Sequence, residues 1–130
     1  MASAVRRPIT MPADFRSLRR RVRRFVAARS WTRFHTPKNL SMAIAVEAAE
    51  LMEPFQWHDN QDAAAIKEDE ALVATVEEEL ADVLIYAMSL AIRLDIDLLG
   101  AVSRKLDENE RRFDEEATAE FNANLDRWVE

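Results

Sequence analysis

"VEEELADVLIYAMSLAIRL", residues 76–94, decides the fold class of this chain because it is long and its apolar residues recur at helical spacing. Positions three or four apart share one side of an α-helix, and here they are apolar: Val76, Leu80, Val83 and Ala87. The pattern predicts a helix, the third along the chain, that begins between residues 62 and 70 and ends near Leu94. Such a helix is far longer than the average.

The second half of this helix is apolar nearly all the way round. From residue 83 to residue 94 the apolar side chains point in almost every direction: Val83, Leu84, Ile85, Met88, Leu90 and Ile92. A small bundle buries only one stripe of a helix, so the remaining apolar surface needs a partner. We therefore expect a homo-oligomer that assembles through helix 3. The alternative is a central helix in a compact monomer.

Helices are also predicted on both sides of helix 3. Their bounds are as follows: helix 1 from Pro12 to about Arg29, helix 2 from the N-cap Thr36 and first residue Pro37 to Pro54, and helix 4 from the cap Asp97 to residues 112–114. One Gly and four Pro leave few residues for the tight turns of an all-β fold. The chain is predicted to be an all-α bundle of four to five helices.

The length of 130 residues is that of one domain. We expect a disordered tail over residues 1–11, the helical domain over 12–114, and a C-terminal tail over 115–130 whose state the pattern leaves open. The chain has no Cys, which excludes disulfides, thiolate zinc sites and Cys nucleophiles. It also lacks an apolar run of ~18 residues and the apolar region of a secretion signal, so a cytoplasmic protein is expected.

Charge is distributed unevenly along the chain, whose net charge is −6. The segment "FRSLRRRVRRF" (15–25) holds six Arg. Such a run indicates contact with a polyanion or, alternatively, a solvated helix face beside an acidic neighbour. The acidic total argues against a dedicated DNA-binding protein, so nucleic acid is not the expected partner. Without an apolar run long enough to span a bilayer, a membrane is not expected either.

Acidic residues stand at the edges of the apolar stripes of helices 2 and 3. In "VEAAELMEPFQW" (46–57), Glu47 falls within the apolar stripe and Glu50 lies one turn further along its flank. In helix 3, Glu79 lies beside the stripe and Asp82 is one turn on. Two acid pairs at i, i+3 can therefore face each other across a helix pair.

Four carboxylates held together raise each other's pKa, and a divalent cation resolves the repulsion. Oxygen ligands alone select a hard ion, Mg²⁺ or in its place Mn²⁺. A di-iron bundle site needs Glu-x-x-His motifs, whereas His35 and His58 lie in loops. Glu77 falls on the far edge of the stripe and Glu78 points largely away, so both are expected to be surface acids. The alternative is that all these acids are surface residues in salt bridges along their helices.

Three segments carry a family resemblance: "FHTPKNLSMAIAVEAAELMEPFQWH", "EEELADVLIYAMSLAIRLDIDL" and "SRKLDENERRF". They resemble the MazG-like all-α nucleotide pyrophosphohydrolases, and most of all the dCTP pyrophosphatase branch, over residues 15–113. The resemblance implies a tetramer built from two dimers and hydrolysis of a nucleoside triphosphate to the monophosphate and pyrophosphate. It makes residues 12–114 a MazG-like domain.

The resemblance also assigns roles to residues of this chain. It implies the metal ligands Glu47, Glu50, Glu79 and Asp82, the base-recognition residues Trp31, His35, Trp57 and Tyr86, and the phosphate-binding residues Lys105, Asn109 and Arg112. For the aromatic residues, packing at helix ends is the alternative. For Lys105, Asn109 and Arg112, which share one face of helix 4, the alternative is a solvated polar surface.

The function expected from these observations is Mg²⁺-dependent hydrolysis of dCTP and modified dCTP, which would clear them from the nucleotide pool. Glu47 or Glu50 is expected to orient or deprotonate the attacking water. Two alternatives remain. One is a non-catalytic helical oligomer that binds nucleic acid through the Arg-rich helix 1. The other is a phosphoribosyl-ATP pyrophosphohydrolase.

Overall fold

The computed structural model describes residues 14–58 and 62–126, and every regular element within them is helical. The α-helices are α1 (Phe15–Ala28), α2 (Pro37–Met52), α3 (Ala63–Lys67), α4 (Glu70–Arg93), α5 (Leu98–Arg112) and α6 (Glu115–Asp126). Short 3₁₀ turns occupy Thr32–Phe34 and Glu53–Phe55. The predicted all-α class is confirmed. The expected disordered tail over residues 1–11 lies outside the described residues.

Side-chain caps determine where α2 and α5 begin. Thr36 Oγ1 accepts a hydrogen bond from the Asn39 amide at 3.1 Å, and Asp97 Oδ1 accepts one from the Gly100 amide at 3.1 Å. Each bond satisfies an amide that has no partner inside the helix. Both caps are the predicted ones, and Pro37 is the first residue of α2.

The first helix begins at Phe15, three residues after the predicted start at Pro12. The reason is Asp14, whose Oδ1 accepts a hydrogen bond from the Ser17 amide at 2.8 Å and so caps the helix. At its other end, α1 stops before Ser30, which has a left-handed backbone with φ of 56°.

The predicted helix 3 is divided into α3 and α4. The first ends at Lys67 with Glu68 as its C-cap, and Asp69 caps the second, because its Oδ1 accepts a hydrogen bond from the Leu72 amide at 3.0 Å. The long helix α4 then runs for 24 residues and stops at Arg93, close to the predicted end. Among the described residues, no helix is both long enough and apolar enough to cross a membrane.

The chain forms two compact units, one ending at Asp95 and the other beginning at Ile96. In the first unit, α2 packs along α4, and α1 also packs against α4. Its buried side chains include Leu40 from α2 and Met88 and Ala91 from α4. This packing holds the acid-bearing faces of α2 and α4 beside each other.

The second unit consists of α5 and α6. The state of residues 115–130, which the pattern left open, is helical over 115–126. Asp114 starts α6 by accepting a hydrogen bond from the Ala117 amide at 2.7 Å. The domain bounds of 12–114 stay a prediction.

Candidate functional site

Three carboxylates converge where α2 lies along α4. Glu47 and Glu50 come from α2 and Glu79 comes from α4, and one oxygen of each lies within 4.8 Å of the others. The i, i+3 spacing brings both glutamates of α2 to the same side of that helix. Glu47 and Glu79 are half-buried, whereas Glu50 is exposed. We call these three residues the acidic cluster.

Two oxygens of the acidic cluster are buried without a partner. Oε2 of Glu47 and Oε2 of Glu79 accept no hydrogen bond from any described residue. Buried carboxylate oxygens are nearly always hydrogen-bonded or bound to a cation, because leaving them bare is costly. The cluster therefore has the donor set and the unsatisfied atoms that a metal ion requires.

The acidic cluster is also electrostatically strained. Burial raises the pKa of Glu47 above its ordinary value, and the neighbouring Glu50 and the charges of Asp82 and Glu79 raise it further. Burial likewise raises the pKa of Glu79, and Glu50, Asp82 and Glu78 add to the effect. A proton or a cation relieves this strain, and three carboxylates at this spacing can hold a metal ion.

The fourth predicted ligand, Asp82, lies at the edge of the cluster. It is exposed and one turn beyond Glu79 on α4, and its oxygens are not part of the group that lies within 4.8 Å. Its charge nevertheless raises the pKa of both Glu47 and Glu79. Glu77 and Glu78 are exposed, as the helical phase predicted.

His35 lies beside a cavity of about 380 Å³ between α1, the turn at 32–34 and the end of α4. Its carbonyl oxygen accepts a hydrogen bond from Nε of Arg93 at 3.1 Å. Burial, and then the charge of Arg93, lower the pKa of the His35 imidazole, which favours the neutral form of the ring. Ser89 and Arg93 also line this cavity.

Ser89 and Arg93 were not among the predicted site residues, although their spacing along α4 is visible in the sequence. They follow Glu79 by ten and fourteen residues along α4. These spacings place them on the same face of the helix as Glu79 and Asp82. Ser89 is buried, and its hydroxyl donates to the Ile85 carbonyl at 2.8 Å.

The three predicted base-stacking aromatics belong to the first unit and differ in exposure. Trp31 is 43% exposed and meets Phe25 edge to face, with ring centroids 5.7 Å apart. Trp57 is 87% exposed, so it is not a packing residue of this chain. Tyr86 is half-buried, one turn after Asp82. Their role in base recognition stays a prediction.

The three predicted phosphate-binding residues lie on α5, in the second unit. Nζ of Lys105 lies 3.3 Å from a carboxylate oxygen of Glu108. The Arg112 guanidinium lies 5.1 Å from the ring centroid of Phe113, and Asn109 is half-buried. Their role also stays a prediction.

The fold and the acidic cluster together define an all-α protein with an all-oxygen site that can hold a metal ion. The model of the MazG-like family matches residues 42–125, which include the whole of α4 and α2 from Met42 onward, and thus all the acids of the cluster. The chain belongs to the MazG-like family.

Its relatives include two mammalian proteins called dCTP pyrophosphatase 1. The Bos taurus protein is 41% identical over 96 residues, which cover 74% of this chain and 57% of the relative. The Mus musculus protein is 38% identical over 113 residues, which cover 85% of this chain and 66% of the relative. The chain thus spans about three fifths of the length of these relatives. The expected likeness to the dCTP pyrophosphatase branch is confirmed.

A solved structure shows the same fold. It is a pyrophosphatase from Archaeoglobus fulgidus that is 40% identical to this chain, with a TM-score of 0.70. The match covers 77% of this chain and 92% of the archaeal one. It therefore extends over nearly all of that protein.

Proposed function

We propose that this protein hydrolyses dCTP, and modified dCTP, to the monophosphate and pyrophosphate. The observation that carries the proposal is the acidic cluster, in which three carboxylates converge and two of them, Glu47 and Glu79, each bury an oxygen that accepts no hydrogen bond from any described residue. The names of its mammalian and archaeal relatives support this reaction.

The metal we propose is Mg²⁺, with Mn²⁺ as a substitute. The residues that would hold it are the acidic cluster and Asp82, all of them carboxylates, and hard oxygen ligands favour these two ions. When bound, Mg²⁺ offsets the negative charge of the triphosphate around the bond that is cleaved.

The chain's own part in the reaction is to position and deprotonate water. Glu47 or Glu50 is the proposed base, and Glu50 is the exposed one of the pair, so bulk water reaches it more readily. Attack of that water on the α-phosphorus breaks the bond to the bridging oxygen, and pyrophosphate leaves. Because the carboxylates of the cluster are assigned to the metal and to the water, a direct attack by water is proposed.

The cavity beside His35 is the proposed site for the base. Asp82 and Ser89 lie on one face of α4, seven residues or about 10 Å apart along the helix axis. A nucleotide can therefore extend along α4 with its phosphates near the acids and its base toward Arg93. The cytosine edge offers acceptors at O2 and N3, which suit the guanidinium donors of Arg93, whereas thymine carries a hydrogen at N3. The His35 imidazole can form a hydrogen bond to the same edge of cytosine.

We also propose that the protein is a homo-oligomer, most simply a tetramer. Leu84 and Ile85 of α4 are 52% and 42% exposed, although both lie in the nearly all-apolar stretch of that helix. Exposed apolar side chains grouped on one helix are typical of a subunit interface.

A panel of nucleotides tests the proposal. The purified protein is incubated with Mg²⁺ and each common nucleoside and deoxynucleoside triphosphate, and pyrophosphate and orthophosphate are measured separately. We expect pyrophosphate release with dCTP as the preferred substrate. Release of orthophosphate, or a preference for phosphoribosyl-ATP when that compound is added to the panel, would contradict the proposal.

A further inference from the structure

Helix α1 carries a surface that the proposed hydrolysis does not use, apart from Arg23, which also lines the cavity beside His35. Its six arginines are Arg16, Arg19, Arg20, Arg21, Arg23 and Arg24, and we call them the basic surface. From residue 15 to residue 46 the chain has no acidic residue, although its net charge is −6. The positive charge is therefore concentrated on this helix and the segment that follows it.

The basic surface lies opposite the apolar side by which α1 packs on α4. Phe15, Val22 and Val26 on that apolar side are half-buried, whereas five of the six arginines are exposed. Two grooves run between the arginine side chains. One is lined by Arg16, Arg19, Arg20 and Arg23, and the other by Ser17, Arg21, Arg24 and Phe25.

The arginines repel one another and have no acidic partner among the described residues. Arg20, for example, has Arg16, Arg23 and Arg24 three or four positions away, and like charges at this spacing destabilise a helix. In the described parts of the chain, the only ion pair joins Lys105 and Glu108 on α5. An anionic partner from outside the chain would convert this repulsion into binding energy.

We propose that the basic surface binds single-stranded nucleic acid. All six cations are arginines, whose guanidinium forms two parallel hydrogen bonds to a phosphate, which an ammonium cannot do. A helix with arginines on successive turns presents them at intervals along its axis, as a phosphate backbone presents its charges. This is the positively charged groove typical of proteins that bind single strands.

Flat groups beside the arginines favour a single strand over a duplex. Phe25 is 46% exposed and shares a groove with Arg21 and Arg24. The guanidinium of Arg29, also exposed, lies 3.7 Å from the centroid of the Phe25 ring. Aromatic rings and guanidinium planes stack with unpaired bases, and the bases of a duplex are not available for such stacking.

The acidic remainder of the chain does not prevent this contact. At 0.1 M salt the Debye length is about 10 Å, so charges farther away than that are largely screened. The contact should therefore be governed by the nearby arginines and depend steeply on salt. This binding is independent of the proposed hydrolysis and of any divalent ion.

The test is fluorescence anisotropy of the full chain with a labelled thymidine oligonucleotide of about 20 nucleotides, in the presence of chelator. Wild type is compared with the triple variant Arg16→Gln, Arg20→Gln, Arg24→Gln. The matched control carries Lys67→Gln, Arg104→Gln and Arg111→Gln, which remove the same charge elsewhere. Circular dichroism checks that both variants keep their helix content.

We call the triple variant Arg16→Gln, Arg20→Gln, Arg24→Gln the surface variant. We expect it to bind the oligonucleotide at least about 10-fold more weakly than wild type at low salt, and the control to bind it like wild type. The slope of log affinity against log salt should become about 2 units shallower in the surface variant, since each lost contact removes about 0.7. Equal weakening in the two variants, or no binding by wild type at low salt, would overturn the proposal.

Two further arms identify the partner. A duplex of the same length, or inorganic polyphosphate with as many phosphates, should bind more weakly than the single strand; equal or tighter binding overturns the single-strand assignment. Loss of the oligomer in the surface variant, without oligonucleotide binding by wild type, would instead assign the surface to an acidic helix of another copy and overturn the proposal.

Discussion

Glu47 of α2 and Glu79 of α4 each bury an Oε2 atom that accepts no hydrogen bond from any described residue, and their carboxylates meet within 4.8 Å. Two like charges brought together in this way destabilise a protein unless something offsets them. This relationship links the packing of the two helices to the proposed chemistry, because the same contact that buries α2 on α4 creates the site.

The first prediction separates three consecutive glutamates of α4. Glu79→Gln should reduce kcat for dCTP by at least about 100-fold, since a lost charge at the acidic cluster removes electrostatic stabilisation that the reaction needs. Glu77→Gln and Glu78→Gln should change kcat less than about 3-fold, because both side chains are exposed. Steady-state kinetics check this. Equal damage at all three positions would show that the site does not lie on this face of α4.

The second prediction concerns the stability of the metal-free protein. Because the pKa of Glu79 is raised, the folded state holds its proton more tightly than the unfolded state. This contribution is fully present below about pH 4.3, the ordinary pKa of glutamate, and is lost as pH rises through the raised value. Glu79→Gln should therefore be more stable than wild type at about pH 7 and not at about pH 4.

Urea unfolding in excess chelator measures that difference. Adding Mg²⁺ at neutral pH should then stabilise wild type and leave the Glu79→Gln variant nearly unchanged. Glu77→Gln is the matched control, since it removes a neighbouring exposed charge that is not among those raising the pKa of Glu79. The idea is wrong if Glu79→Gln is the less stable protein at neutral pH without metal.

The third prediction concerns His35 and Arg93. Burial is the larger cause of the lowered pKa of His35 and the charge of Arg93 the smaller. Arg93→Met should therefore raise that pKa toward its ordinary value without reaching it. Nuclear magnetic resonance titration of the His35 imidazole checks this, with Arg104→Met as the control that removes an arginine elsewhere. An unchanged or lower pKa in the Arg93 variant would show that the two groups do not interact.

How much of this could be predicted from the sequence follows from the range of each interaction. The caps Thr36 and Asp97 act within three residues, so local patterns were enough to find them. The direction of Glu79 also follows from helical phase alone. The start of α4 at Glu70 falls within the predicted range of 62–70, whereas the short separate helix α3 before it was not predicted.

The cavity beside His35 could not be predicted in the same way. It forms where Val22 of α1 approaches Arg93 of α4, two residues that are distant in sequence. Only the packing of the two helices brings them together, and one sequence contains no direct signal of that packing. Asp82 shows a similar limit of sequence-based prediction. Helical phase predicts that Asp82 lies near Glu79 on α4, but it does not predict whether the Asp82 carboxylate reaches the acidic cluster.

The fourth prediction concerns assembly. Light scattering at micromolar concentration should give a mass near four times the 15.0 kDa of one chain. Leu84→Asp should lower that mass, because it places a charge in the apolar face of α4 that we assign to the interface. Leu99→Asp is the matched control, since Leu99 is 53% exposed and Leu84 52%. A wild-type mass near that of one chain would contradict the assembly.

The most direct measurement of the central claim is hydrolysis of dCTP with Mg²⁺ in water enriched in ¹⁸O, followed by mass spectrometry of both products. If the chain directs water to the α-phosphorus, dCMP should carry the ¹⁸O label and pyrophosphate should carry none. The Glu79→Gln variant should form neither product at a comparable rate. Label in pyrophosphate, or formation of dCDP and orthophosphate, would contradict the account.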